Sequence, residues 1–283
     1  MIEARRVEEL RAYLAHLRGR GNRVAFVPTL GNLHAGHARL FADARRNADA
    51  VVASIYVNPL QFGANEDYAA YPRTPAEDRE ALLGANVDVL FMPGDTDVYP
   101  RGAAAQTSVE VPGLSEILCG RFRPGHFRGV TTVVNRLFNL VAPDVAIFGK
   151  KDYQQWLIVR LMVADLGLPV EIVGADTVRE TDGLALSSRN RYLSAAEREQ
   201  APVLYRTLQD VAQRMQDGAA RASAEAAALE ALRQNGFRPD YVSVRRAADL
   251  TEPSPADRNL VALAAAWLGR TRLIDNVEFD RPI

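Results

Sequence analysis

The chain has 283 residues, 48% of them apolar and 24% charged, a globular mix that excludes a disordered or collagen-like polymer. Its 34 basic and 35 acidic residues leave a net charge of −1, so nothing attracts it in bulk to nucleic acid or to an acidic membrane surface. A lone cysteine, Cys119, makes neither an internal disulfide nor a thiolate metal cluster.

The length fits two domains or one large α/β unit. The opening stretch, MIEARRVEELRAYLAHLRGRG, is charged and has no apolar signal core. No run reaches the roughly 18 apolar residues of a membrane span. The expectation is a soluble, cytoplasmic protein with no nucleic-acid and no membrane partner.

In chain order, Leu10, Leu14 and Leu17 place a helix over Val7 to Leu17, ended by Gly19 and Gly21. Val24 to Val27 is a buried strand that Pro28 stops. The loop Thr29 to His34 leads into a helix starting near Ala35 or Gly36. Val51 to Val57 is the next strand. Thr74-Pro75-Ala76-Glu77 has the form of a capping box and starts a helix to Leu83. Strand Val87 to Phe91, helix Gly129 to Val141, strand Asp144 to Phe148, helix Tyr153 to Leu166 and strand Val170 to Val173 follow. Strands alternating with helices predict βαβ units and a Rossmann-like parallel sheet with helices on both faces.

After residue 177 the pattern changes. Ser194-Ala195-Ala196-Glu197 is a second capping box, opening a helix to Gln216. An Ala-rich helix covers Ala222 to Gln234. Tyr241 to Val244, Leu260 to Ala266 and Arg272 to Val277 are strands with no helix between them. The expectation is a parallel-sheet α/β domain over 1–177 and a smaller α+β carboxy-terminal domain over 178–283.

In an open parallel sheet, ligands sit beyond the carboxyl ends of strands, near helix amino termini. Four polar clusters fall there. Pro28 to His37 contains two of the four histidines, His34 and His37, on one side of a first helical turn. Free N–H groups at that helix start would suit a phosphate, and two imidazoles can donate to charge developing on it. With no Cys and no third ligand nearby, a zinc pair is the weaker reading. Ser54 to Phe62 offers Asn58 and Gln61 to a hydroxylated substrate; a plain Asn-Pro turn explains it as well. Gly149 to Gln155 holds the only two lysines, Lys150 and Lys151, among 34 basic residues. A compact ammonium suits a phosphate; survival in a surface turn is the alternative. Asp182 to Arg191 combines two serines with two arginines, either an anion clamp or a solvated turn.

Elsewhere, Arg121 to His126 is basic and able to meet a carboxylate. Glu77 and Asp78 are able to touch a metal, but a helix-capping position accounts for them. The Gly-x-Gly-x-x-Gly, P-loop and Gly-x-Ser-x-Gly signatures are missing.

Taken together, these stretches resemble the pantoate–β-alanine ligase family, within the His-x-Gly-His adenylyl-transferring superfamily. Val27 to His37, Val57 to Gly63, Tyr71 to Thr74, Phe148 to Gln155 and Asp182 to Leu193 match its motifs in order. Leu30 and Leu186 stand where the family usually has Met, apolar replacements of similar volume.

The resemblance implies a ligase, a homodimer, that condenses (R)-pantoate with β-alanine. ATP is a substrate, Mg2+ is carried with its phosphates, and pantothenate, AMP and pyrophosphate form through pantoyl adenylate. It implies that His34 and His37 stabilise the α-phosphate, with His37 as proton donor, and that Lys151 holds the outgoing phosphates. Ser187, Ser188 and Arg189 would close on pyrophosphate from the second domain. Gly149, Asp152 and the backbone near Val178 would hold ribose and adenine. Leu30, Gly31, Asn32, Leu33, Ala35, Gly36, Lys150 and Leu186 would complete the ATP contacts. Gln61 and Gln155 would bind pantoate, Gln61 also β-alanine, with no metal ligand on the protein. Two other readings share the histidines: a nucleotidylyltransferase that makes a nucleotide product, and a catalytically inactive nucleotide-binding regulator.

Overall fold

The structure, a computed structural model, describes residues 1–63 and 66–282. The chain divides into two compact units, one of residues 1–150 and 158–176, the other of 151–157 and 177–283.

In the first unit the elements are β1 (Ile2–Ala4), α1 (Val7–Gly19), β2 (Val24–Thr29), α2 (Ala35–Asn47), β3 (Ala50–Ile55), α3 (Pro75–Gly84), β4 (Val89–Phe91), α4 (Asp95–Val98), α5 (Cys119–Phe122), α6 (His126–Val141), β5 (Val145–Gly149) and β6 (Glu171–Ala175). Helix α7 (Tyr153–Asp165) starts in the second unit and continues in the first. The sheet order is β1-β4-β3-β2-β5-β6, and every pair is parallel. The order reverses between β2 and β5, which makes the space beyond their carboxyl ends the topological switch point.

Successive side chains of β2 point to opposite faces. Ala25 and Val27 pack into a cluster with Phe41 and Ala44 of α2. Phe26, between them, meets Phe138 of α6 edge to face, ring centroids 6.3 Å apart. The sheet is thus covered by helices on both faces.

Several local expectations are corrected. Pro28 does not stop β2, which runs on to Thr29. The Thr29 carbonyl accepts from Tyr56 N–H on the β3 side, so Pro28 turns its nitrogen toward β5. Pairing with β5 ends at Phe26, and the N–H that proline lacks is not needed there. Thr74 makes no side-chain cap to α3. The strand β1 was not expected; three residues are too few to show a period.

The second unit has the antiparallel sheet β7 (Phe237–Arg246), β8 (Asn259–Leu268) and β9 (Thr271–Asp280), in that order. Helices α9 (Val203–Gln216) and α10 (Arg221–Gln234) pack on one face of it. Leu260, Ala262, Ala264 and Ala266 alternate along β8 toward Leu204, Leu208 and Leu232, and Val261, Leu263 and Ala265 between them are buried as well, so this central strand is covered on both faces. The helix expected from Ser194 to Gln216 is two, α8 (Ala195–Gln200) and α9. Pro202 lies between them, where its ring and missing N–H interrupt a helix. The Ser194–Glu197 capping box is present.

Candidate active site

The turn from β2 into α2 carries His34 and His37. His34 Nδ1 accepts from Gly36 N–H at 3.1 Å, and His37 Nδ1 accepts from His34 N–H at 3.2 Å. A nitrogen that accepts a backbone N–H holds no proton. Each neutral ring therefore carries its proton on Nε2, as a donor. The two rings lie 4.2 Å apart, tilted by 52°. One tautomer is thus set twice within four residues, by the backbone of the motif itself.

The expectation of free backbone donors at this helix start is corrected in part, because most of them are taken within the turn. Gly31 N–H goes to Thr29 Oγ1, Asn32 and Leu33 N–H to Asp78, and His37 N–H to the His34 carbonyl. Those of His34 and Gly36 go to the imidazoles. Among the described residues the Ala35 N–H, at the first position of α2, has no such acceptor and stays available to a ligand beside the two imidazoles. Asn32 is buried at φ +52, the left-handed region that Asn tolerates best after Gly. Leu33 packs into the α2 core cluster. Leu30 is half-buried and Ala35 exposed.

Gln61 ends a short turn of 3-10 helix, Pro59–Gln61, after β3. Asn58, fully buried, holds it. The Asn58 Nδ2 group donates to Gln61 Oε1 and to the Gly129 carbonyl, both at 3.1 Å. Its Oδ1 accepts from Tyr99 OH at 2.7 Å and Leu60 N–H at 3.3 Å. All four positions of the amide are taken by protein, so Asn58 positions Gln61 and is not itself a substrate ligand. Burial, with the nearby Asp95 carboxylate, raises the Tyr99 phenol and keeps it a donor. Gly129 of α6 is required here: a Cβ would lie 2.1 Å from Leu60 O.

The basic stretch at 121–126 does meet a carboxylate, but an internal one. Arg123 grips Glu66 at 2.7 and 2.5 Å, and His126 Nδ1 lies 2.8 Å from the Gln61 carbonyl.

Gly149 ends β5 and Lys150 follows it, on the other side of the switch point from the histidine turn. Lys150 Nζ is 3.4 Å from Asp176 Oδ1. Lys151, the first residue of the second unit, has no carboxylate partner for its ammonium among the described residues. Its carbonyl accepts from Asn276 Nδ2 at 3.0 Å. Asp152 is exposed and Gln155 half-buried.

Also in the second unit, Val178 and Leu186 are brought together. Leu186 N–H donates to Val178 O at 3.0 Å, beside an antiparallel bridge of Arg179 with Ala185. Ser187 Oγ accepts from Arg189 N–H at 3.3 Å and caps a 3-10 turn over Ser188–Tyr192. Ser187, Ser188 and Arg189 are thus one turn, all half-buried. Asp182, next to it, accepts from Leu184 N–H and from Arg198. The Arg198 guanidinium holds its carboxyl below the usual range.

Sequence reasoning missed Asp78 and Tyr99 as supports, and left Asn58 between a substrate contact and a plain Asn-Pro turn. The proximity of 58 to 61 was legible; the partners 41 to 71 residues away were not. Among the described residues, no group of three or more His, Cys, Asp or Glu could hold a metal ion, and no helix is long and apolar enough to cross a membrane.

A family model described as pantoate-beta-alanine ligase matches residues 3–278. A relative from Shewanella loihica, named pantothenate synthetase, is 54% identical over 99% of this chain and 100% of its own length. One of the same name from Azotobacter vinelandii is 55% identical, covering 99% of each chain. Among solved structures, pantothenate synthetase from Thermus thermophilus superposes with a TM-score of 0.91 at 50% identity, over 98% of this chain and 99% of that one. Pantoate-beta-alanine ligase from Francisella tularensis, complexed with beta-gamma ATP and beta-alanine, has a TM-score of 0.83 at 32% identity, over 98% and 97%. With the whole chain matched and the histidine turn at the switch point of the sheet, this protein belongs to the pantoate–β-alanine ligase family.

Proposed function

We propose that this protein condenses (R)-pantoate with β-alanine in an ATP-dependent ligase reaction. The observation that carries the reading is the pair of backbone-fixed Nε2–H donors on His34 and His37, in a chain that matches the ligase family over 3–278.

A carboxylate is a poor acyl donor, so it is activated first. A pantoate carboxylate oxygen attacks the α-phosphorus of ATP; the bond to the bridging oxygen breaks and pyrophosphate leaves. Charge grows on the α-phosphate oxygens as phosphorus becomes five-coordinate. Two preorganised N–H donors stabilise that state more than the ground state. The amine of β-alanine then attacks the acyl carbon and loses a proton, and AMP leaves. His37 is placed as the proton donor and Lys151 as the charge that meets the departing phosphates.

Gln61 supports pantoate binding through its amide nitrogen, because its oxygen is held by Asn58. Gln155 joins it as a second pantoate ligand, and Gln61 also contacts β-alanine. Leu30 to His37, Gly149, Lys150, Asp152, Val178 and Leu186 are assigned to ATP, and Ser187, Ser188 and Arg189 to its pyrophosphate. We assign magnesium to the substrate, as MgATP. Mg2+ keeps most of its waters and is commonly held through phosphates. A homodimer and a cytoplasmic setting follow from the family resemblance; light scattering and cell fractionation check them.

The test is release of AMP and pyrophosphate from ATP, with pantoate and β-alanine added singly and together. Pyrophosphate with pantoate alone, and steady AMP only when β-alanine joins, is the expected result. Folded protein without pantoate-dependent turnover would overturn the reading.

A further inference from the structure

Asp78 lies in the first turn of α3, where an acidic residue ordinarily serves its own helix end. Its carboxylate does something else. Oδ2 accepts from Asn32 N–H at 3.0 Å and Oδ1 from Leu33 N–H at 2.7 Å, across 46 and 45 residues of sequence. The residue is 2% exposed. Glu77 beside it is exposed.

The two bonds complete an unbroken series. Gly31 N–H is held by Thr29 Oγ1, which itself donates to Ser54 O at 2.7 Å. Asn32 and Leu33 N–H are held by Asp78, and His34 N–H by His37 Nδ1. Gly31 makes the close approach feasible. Its φ is +79, and a Cβ there would lie 2.9 Å from Asp78 Oδ2 and 3.1 Å from Ile55 Cγ2. A rotation of the 31–33 peptides carries His34 N–H away from His37 Nδ1. That nitrogen then loses the partner that keeps it unprotonated.

We propose that Asp78 is a positioning residue for adenylate formation. It clamps the turn before His34 so that both imidazoles keep their Nε2–H donors in place. The proposal rests on the assignment of His34 and His37 to the α-phosphate.

Asp78→Asn is close to isosteric, but its NH2 faces a backbone N–H, so one of the two bonds is lost and two donors oppose each other. The test uses the full chain and pantoate-dependent exchange of pyrophosphate into ATP, which reads the first half-reaction alone. Asp78→Asn is expected to lower the exchange kcat about 10- to 100-fold, the scale of a displacement near 1 Å in a reacting geometry. The KM for pantoate should stay within about twofold, and circular dichroism should match wild type. In a His37→Ala background the same substitution should add less than about twofold, because residues acting as one unit are not additive. With only four histidines in the chain, 15N-histidine NMR should show unprotonated Nδ1 on His34 and His37 in wild type. Asp78→Asn should show mixed tautomers.

A wild-type kcat in Asp78→Asn would overturn the proposal. So would losses that multiply with His37→Ala, which would place Asp78 in an independent task such as holding magnesium. If Asp78→Asn does not fold, Asp78→Glu, which keeps both acceptor oxygens but shifts them by one methylene, is read by the same criteria. Absence of exchange in wild type, or full exchange in His37→Ala, would defeat the underlying site reading and the proposal with it. Neither result needs an Asp78 variant, so the two failures are separable.

Discussion

Asn58 and Gln61 are joined by one hydrogen bond whose direction the surroundings dictate. The Gly129 carbonyl can only accept and Leu60 N–H can only donate, which settles which end of the Asn58 amide is nitrogen. That nitrogen donates to Gln61, so Gln61 must present oxygen to it and keeps its NH2 for another partner.

Tyr99→Phe should therefore be felt at pantoate. It removes the donor to Asn58 Oδ1 and loosens the amide that orients Gln61. A hydrogen bond of this kind contributes about 0.5–1.5 kcal/mol. The pantoate KM should rise about two- to tenfold while the ATP KM stays put. Steady-state kinetics with each substrate varied in turn reads the split; a change confined to ATP would contradict it.

The two lysines should separate. Lys150 is paired with Asp176, whereas the Lys151 ammonium has no carboxylate partner among the described residues. Lys151→Ala should cost at least ~10²-fold in adenylate formation, as loss of a charged transition-state contact does. Lys150→Ala should cost much less. Single-turnover measurement of pyrophosphate release decides it, and equal losses or the reverse order would reject the assignment.

Acid should weaken the fold at Glu66. Burial works to raise its carboxyl, but the two-pronged Arg123 contact overrides that and holds it below the usual range. A depressed folded-state value stabilises above the unfolded carboxyl value of about 4.3 and is lost as pH falls through the folded one. Glu66→Gln should lose about 1–2 kcal/mol at pH 7. The gap from wild type should narrow below about pH 4. Urea midpoints at the two pH values test this; a gap that widens in acid would refute it.

The turn carrying Ser187, Ser188 and Arg189 should become ordered with ligand. Hydrogen exchange over residues 183–191 is expected to slow when ATP and pantoate bind together. Unchanged exchange there would count against its assignment to pyrophosphate.

Much of this molecule was legible from residue order alone. The alternation of apolar strands with helical stretches announced the parallel sheet, because a period of 2 or 3.6 is a local property. The histidine turn, the Asn58–Gln61 turn and the lysine pair were located for the same reason: each lies within a few residues of a strand end. Where local signals misled, a neighbouring strand or ring had decided otherwise. Pro28 stays in β2 because β5 stops pairing at Phe26, and Pro202 splits one expected helix into α8 and α9. The uses of Asp78, Asn58 and Tyr99 belong wholly to the tertiary structure. Asp78 has a place in a helix first turn by sequence, yet its acceptors go to N–H groups 45 and 46 residues away. Which polar groups meet depends on sheet order and on how helices cross the strand ends, and no local period encodes either.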